Sequence, residues 1–284
     1  MNLVATAYNL TQLNKLNDLA SHVLLPVGGL TSSDGIDLDK AIGICNSKKI
    51  IPILRMDAML HEDMLLDFEK AVLKYKDTNC LYYITDLGAA NIIIKNSLVS
   101  RVIFDPQTLI CNYLDAAIYQ NMGFEAISMS LEITIKDVIK ACNMADLRLF
   151  YQVFGHRLMF HSKRKLVKLY ETKCNIDIKR DNMYLIEEKR EDKYPIIETP
   201  LGTYIYRSYQ ISLVNELNNL DLKYAYLESR FLDYDIYLKV LSLYKEYINK
   251  NTTLEDVNNN LASLCLNIED GFTFKDSVYQ KEEF

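Results

Sequence analysis

Carboxylates recur at the ends of apolar runs along this chain: Asp57, Asp86, Asp105, Glu132 and Glu228, the last followed two residues later by Arg230. Carboxylates gathered at one end of a fold can serve as general acids, general bases or anchors for hydroxyl groups. An Asp at a strand-to-helix junction has a competing use, because its side-chain oxygen can cap the helix that follows, and that reading weighs on Asp57 and Asp86. Glutamate caps less readily. Glu132 and Glu228 are therefore the stronger catalytic candidates, and Glu228-Ser229-Arg230 would aim both charges at one opening, the arginine keeping the carboxylate ionised. A structural ion pair is the plainer alternative. Asp105 is expected to contact substrate.

A second concentration of chemistry lies in Val153-Phe-Gly-His-Arg-Leu-Met-Phe-His-Ser-Lys-Arg-Lys165, which reads as a loop on the rim. His156 is a catalytic candidate there, and Arg157, His161, Lys163 and Arg164 are candidate substrate ligands. Residues 163–180 carry seven Lys/Arg against two acids in a chain whose formal net charge is -6. Such a patch suits an RNA backbone or a phosphate, although charge runs also occur as solvated helix faces. His156 and His161 are five residues apart, which does not align two imidazoles on a helix for a metal, so none is expected. His61-Glu62 lacks the second histidine of a zinc-protease helix, since Leu65 stands there, and neither a nucleophile elbow nor a phosphate-binding Gly-rich loop is present.

These residues need a scaffold. Apolar runs at Leu3–Ala7, Val23–Val27, Ile50–Arg55, Leu81–Thr85, Arg101–Phe104, Ala126–Met129 and Leu147–Val153 alternate with amphipathic stretches near 10–20, 37–47, 62–76, 87–96, 108–121 and 134–142. Continuous apolar strands separated by helices belong to parallel sheets. With an eighth strand at Lys223–Leu227 and a helix from Tyr234 to Asn249, the pattern predicts an α/β fold, a (β/α)8 TIM-like barrel. Short alternating pieces around Lys193-Tyr194-Pro195 and Pro200-Leu201-Gly202 predict a hairpin over about 183–207, inserted between strands seven and eight on the C-terminal rim of a single domain spanning 1–284. In such barrels the active site lies at the C-terminal ends of the strands.

The 284 residues, 49% hydrophobic and 25% charged, are enough for this core, and the net charge excludes polyanion binding by bulk electrostatics. No apolar stretch reaches the ~20 residues of a membrane span, so no membrane partner and a cytoplasmic location are expected. Six cysteines without a CxxC pair read as reduced thiols.

Several of these segments together resemble the collagenase-like peptidase family U32, whose signature is a strand ending in Gly followed by a cysteine and a turn containing Ser-x-Arg. Val153-Phe154-Gly155, Ser162-Lys163-Arg164, Leu166-Val167, Lys193-Tyr194-Pro195-Ile196 with Glu198, Gly202-Thr203, Glu228-Ser229-Arg230 where Glu-Gly-Arg is usual, and Gly271-Phe272 with Val278-Tyr279 carry the likeness. Within the family the chain resembles short bacterial members encoded beside a longer one and linked to prephenate-dependent hydroxylation of wobble uridine in tRNA. The resemblance implies tRNA and a longer cluster-bearing paralogue as partners, and prephenate as substrate or ligand. Arg157, Lys163 and Arg164 would hold an RNA phosphate or the prephenate carboxylates. Many members carry an iron–sulfur cluster on four cysteines. This chain has Leu158 and Lys165 where the first two would be, and none of its six cysteines restores the pattern, so no intrinsic cluster is expected. Phe154 where a histidine is usual and Ser229 for Gly keep a scaffold role in view. Two alternatives stay open: a collagenase-like peptidase, with Glu132 and Glu228 sharing a proton, or a non-catalytic barrel scaffold.

Overall fold

A computed structural model describes residues 1–189 and 191–275. Eight parallel strands close a barrel: β1 (Asn2–Thr6), β2 (His22–Pro26), β3 (Ile51–Met56), β4 (Leu81–Ile84), β5 (Val102–Phe104), β6 (Ala126–Ile127), β7 (Leu149–Ser162) and, completing the ring, β11 (Leu222–Leu227), which pairs with both β7 and β1. Helices α1 (Leu10–Lys15), α2 (Leu38–Lys48), α3 (Leu65–Lys74), α4 (Leu87–Lys95), α5 (Tyr113–Asn121) and α6 (Ile135–Met144) connect the first seven strands. After β7 come α7 (Leu166–Cys174), β8 (Tyr184–Ile186), β9 (Lys193–Thr199) and β10 (Gly202–Ser212). The chain then passes through β11 to α8 (Tyr234–Ile248) and α9 (Leu254–Ser263). The fold is the TIM-like barrel expected from the alternation of runs, with extra strands bonded outside it. Among the described residues no helix is long and apolar enough to cross a membrane.

Successive residues of a strand face opposite ways, and here that alternation builds two cores. Val4, Leu24, Ile53, Tyr83, Ile103, Ala126, Phe150, Tyr224 and Tyr226 fill the barrel interior. Their neighbours Leu3, Val23, Leu54, Tyr82, Val102, Leu149 and Ala225 pack outward in the layer shared with the helices.

The principal departure from expectation is β7. It runs 14 residues, so the segment read as a rim loop after Val153 is strand. Its first half pairs in parallel with β11 inside the ring; its second half, Phe154 to Ser162, leaves the ring and pairs antiparallel with β10. The pivot is Gly155, at φ 105, where a Cβ would lie 2.4 Å from the Glu228 carbonyl oxygen, so only glycine lets the strand pass so close. β9 and β10 form a hairpin with Thr199 paired to Gly202, and β8 adds to the outer edge of β9. Tyr194-Pro195 lies within β9, and the hairpin extends to Ser212.

Family-like residues tie this annex together. The Glu198 carboxylate accepts from Val167 N (2.7 Å) and Lys168 N (3.1 Å), satisfying amides at the start of α7, while the Thr203 hydroxyl accepts from Leu166 N at 2.9 Å. Phe272 and Thr273 lie near β7 and β10, and Val278-Tyr279 fall outside the described residues.

Candidate functional site

A cavity of about 280 Å³ opens at the C-terminal ends of the barrel strands. The alternation that fills the barrel explains its polar lining. Two residues beyond interior Ile53, Ile103, Ala126, Phe150 and Tyr226 stand Arg55, Asp105, Ser128, Gln152 and Glu228, and all five line the cavity. Asp57, two beyond Arg55, lines it as well.

Glu228 is the hub. Its Oε1 accepts from the Tyr8 hydroxyl at 2.6 Å and from Arg230 N at 3.0 Å, and its Oε2 accepts from Arg55 Nη1 at 2.9 Å and from the Tyr226 hydroxyl. Arg55 also reaches Asp57, Nε to Oδ2 at 2.7 Å, and the Tyr8 hydroxyl at 3.1 Å. Burial alone would raise the Glu228 pKa, but Arg55, Arg230 and the two tyrosine hydroxyls bring it down to about 2. Burial likewise works against ionised Asp57, yet Arg55 and the Thr31 hydroxyl hold its pKa below the usual carboxylate range. Asp105 differs. Burial outweighs the hydrogen bonds from the Tyr83 hydroxyl (2.6 Å) and Gln107 N (3.0 Å), so its pKa is raised. The buried carboxylates of this mouth thus divide into two whose pKa is lowered, Glu228 and Asp57, and one whose pKa is raised, Asp105.

The structure sorts the remaining candidates. Asp86 is a cap, accepting from Ala89 N at 2.6 Å at the start of α4. Asp57 caps nothing and joins the network. Arg230 does not pair with the Glu228 side chain as expected. Its guanidinium lies over the rings of Tyr8 (4.8 Å) and Tyr206 (5.3 Å), with Nε donating to the Tyr8 hydroxyl at 3.2 Å, while Arg55 from across the barrel forms the ion pair. His156 lines the cavity, but both ring nitrogens are engaged: Nδ1 with the Arg207 carbonyl oxygen at 2.8 Å and Nε2 with Gln210 Nε2 at 2.6 Å. An imidazole donating from Nδ1 and accepting at Nε2 is neutral, and burial lowers its pKa in keeping with that, so His156 braces β7 against β10. His161 also lines the cavity, stacked on Tyr204 at 4.1 Å, with a buried Nε2 that has no partner. Glu132 is exposed at the lip. Glu228 bonds to Arg55, Tyr8 and Tyr226 rather than to Glu132, so these two carboxylates do not share a proton.

Arg157 points away from this network. It is buried against Tyr151, with Nη1 3.2 Å from Thr273 Oγ1. Lys163 sits on the rim, its Nζ donating to the carbonyl of cavity-lining Met59 at 2.8 Å, and Arg164 is exposed beside it. Arg55, Tyr8, Tyr226 and Gln152 are the site residues that the apolar runs and motifs did not single out.

Where the resemblance would put the first two of four cluster cysteines, Leu158 pairs with Tyr206 and Lys165 precedes α7, and neither side chain offers a thiolate to iron.

The molecule is an eight-stranded α/β barrel with its polar cavity at the strand C-termini and an antiparallel annex grown from the seventh strand. The family described as Peptidase family U32 matches residues 34–279, and the chain belongs to that family. It is 22% identical over 267 residues to the tRNA hydroxylation protein P2 of Bacillus subtilis (strain 168), a match covering 86% of this chain and 85% of that one. The solved structure of the U32 peptidase Mk0906 shares the fold, with a TM-score of 0.50 at 11% identity, covering 82% of this chain and 94% of the other.

Proposed function

We propose that this protein acts in prephenate-dependent hydroxylation of the tRNA wobble uridine, with the cavity receiving a base and the rim cations holding the RNA. The reading rests first on the end-to-end similarity to a protein named for tRNA hydroxylation. Cavity chemistry supports it. One arginine, Arg55, lines the cavity beside Asp57, Asp105, Glu132 and Glu228, which suits an uncharged guest better than a free anion. A flipped base is such a guest, and Phe160, exposed at the opening, offers it a ring to stack on. Outside, Lys163, Arg164 and Lys165 follow directly on the cavity-lining end of β7, where phosphates or the carboxylates of prephenate would dock. Asp105 is the proton-handling group in this scheme, and Glu228 with Arg55 anchors the base edge. The redox step is assigned to a longer, cluster-bearing paralogue.

Nucleoside mass spectrometry of tRNA from a deletion strain tests this. Loss of 5-hydroxyuridine derivatives, restored by the wild-type chain but not by Glu228→Gln or Arg164→Ala, is the expected result. An unchanged nucleoside profile in the deletion strain overturns it.

A further inference from the structure

Arg157 has no place in the site described above. It lies two residues past the pivot of β7, 6% exposed. Its Nη1 is 3.2 Å from Thr273 Oγ1, its Nη2 is 3.5 Å from the Gln152 carbonyl oxygen, and its guanidinium lies 5.7 Å from the centre of the Tyr151 ring. Its Nε is sealed from water without a hydrogen-bond partner, and so is the Tyr151 hydroxyl. Among the described residues no carboxylate forms an ion pair with it. Arginine does not shed its proton in a protein, and a buried charge without a counter-ion is strongly disfavoured.

A small cavity adjoins it, beside the barrel mouth, with Leu131, Glu132 and Leu158 as the shared wall. Arg157, Arg207, Glu132, Tyr209, Phe272 and Thr273 are among its walls, and its volume of about 20 Å³ admits one water-sized group. Arg207 also lacks an ion-pair partner among the described residues and lies 5.2 Å from the Phe272 ring centre. Two guanidiniums thus face a space for one small group, with Glu132 exposed at its edge as the single carboxylate.

We infer that Arg157 and Arg207 form a binding site for a small monoanion, either a halide or one carboxylate group, seated between the two guanidiniums. The anion supplies the missing counter-charge and an acceptor for the buried donors. A carboxylate would present one oxygen to the cavity and leave the rest of its molecule outside, past Glu132.

The test uses the full-length protein in sodium methanesulfonate, whose weakly basic oxygens are poor hydrogen-bond acceptors, at fixed ionic strength, with chloride or acetate replacing it stepwise. Binding is read from the thermal midpoint and from the line width of the ³⁵Cl resonance. A saturable rise in midpoint is expected with at least one of the two anions. Saturation with acetate alone identifies a carboxylate site, and saturation with chloride identifies a halide site; acetate displacing chloride shows that both sources share it. Arg157→Gln should weaken binding at least tenfold, Arg207→Gln about tenfold, and Glu132→Gln should tighten it by removing a like charge from the lip. No saturation with either anion, or the same saturation in wild type and in both arginine variants, overturns the inference. If Arg157→Gln does not fold, Arg207→Gln on the half-exposed side carries the same comparison.

Discussion

Arg55, its side chain 11% exposed, and Arg157, 6% exposed, both stand on strands of the barrel, and their surroundings are opposite. Arg55 bridges Asp57 through Nε at 2.7 Å and Glu228 through Nη1 at 2.9 Å, and the same Nη1 approaches the Tyr8 and Tyr226 hydroxyls. Arg157 meets a threonine hydroxyl, a distant carbonyl and a tyrosine face, with its Nε left without a partner. The first has its charge balanced by two carboxylates of the protein. The second pairs with no carboxylate among the described residues and asks for a counter-charge from outside. Burial alone therefore does not distinguish an anchor from a receptor; the presence of a counter-charge does.

Substitution at the two positions should separate them by sign. Arg55→Met leaves Asp57 and Glu228 buried without their cation, and the expected loss is about 3–5 kcal/mol at neutral pH by urea unfolding. Glu228→Gln removes one arm of the same network, so the loss should be smaller, about 3 kcal/mol. Its pH dependence carries a sign. A carboxyl held at about 2 in the folded protein, against an ordinary glutamate value of ~4.3, contributes stability that is complete above the ordinary value. That stability drains away as pH falls through about 2. Unfolding followed from pH 6 to 2 should thus converge between wild type and Glu228→Gln at the acid end. A constant gap across that range would mean that the side chain stabilises by packing and not by charge.

Arg157→Met should move the other way. In buffer free of small anions, trading an unpaired buried charge for an apolar side chain is expected to stabilise by about 1–2 kcal/mol. A loss as large as that of Arg55→Met would show that the protein itself completes the Arg157 shell, and the contrast between the two arginines would collapse.

The contrast also marks where sequence reasoning reached and where it stopped. The eight barrel strands are local, apolar and evenly spaced, so the runs from Leu3 to Leu227 were legible. Glu228 and Asp105 could be picked out because they follow such runs immediately. Arg55 is less visible, since it ends its apolar run, yet the alternation from Ile53 places it inward. Tyr8 follows β1 in a turn with no periodicity to read. Residues 154–162 looked like a charged loop because the partner that makes them a strand, β10, lies some 40–60 residues further along. Hydrogen bonds between distant strands leave no mark in either local sequence.

The smallest expected effect concerns the rim, and it divides cations that look alike in sequence. Of the seven between 163 and 180, Lys168 lies 3.5 Å and Arg180 2.8 Å from Glu171, and Lys163 is tethered to the Met59 carbonyl, whereas Arg164 is exposed. A cation already paired on the protein releases fewer counter-ions from RNA than a free one, so Arg164 should matter more than Lys168. Arg164→Ala is expected to leave stability within about 0.5 kcal/mol of wild type. It should also lower the slope of log affinity for tRNA against log salt by about 0.7–0.9, the share of one phosphate contact. Lys168→Ala should change that slope by less, because the Glu171 charge it leaves behind is still met by Arg180. Fluorescence anisotropy of labelled tRNA over a salt series measures both. Equal slopes in wild type and Arg164→Ala would take the RNA off this rim, and a larger change from Lys168→Ala would shift its path along α7, away from the mouth that Glu228 and Arg55 line.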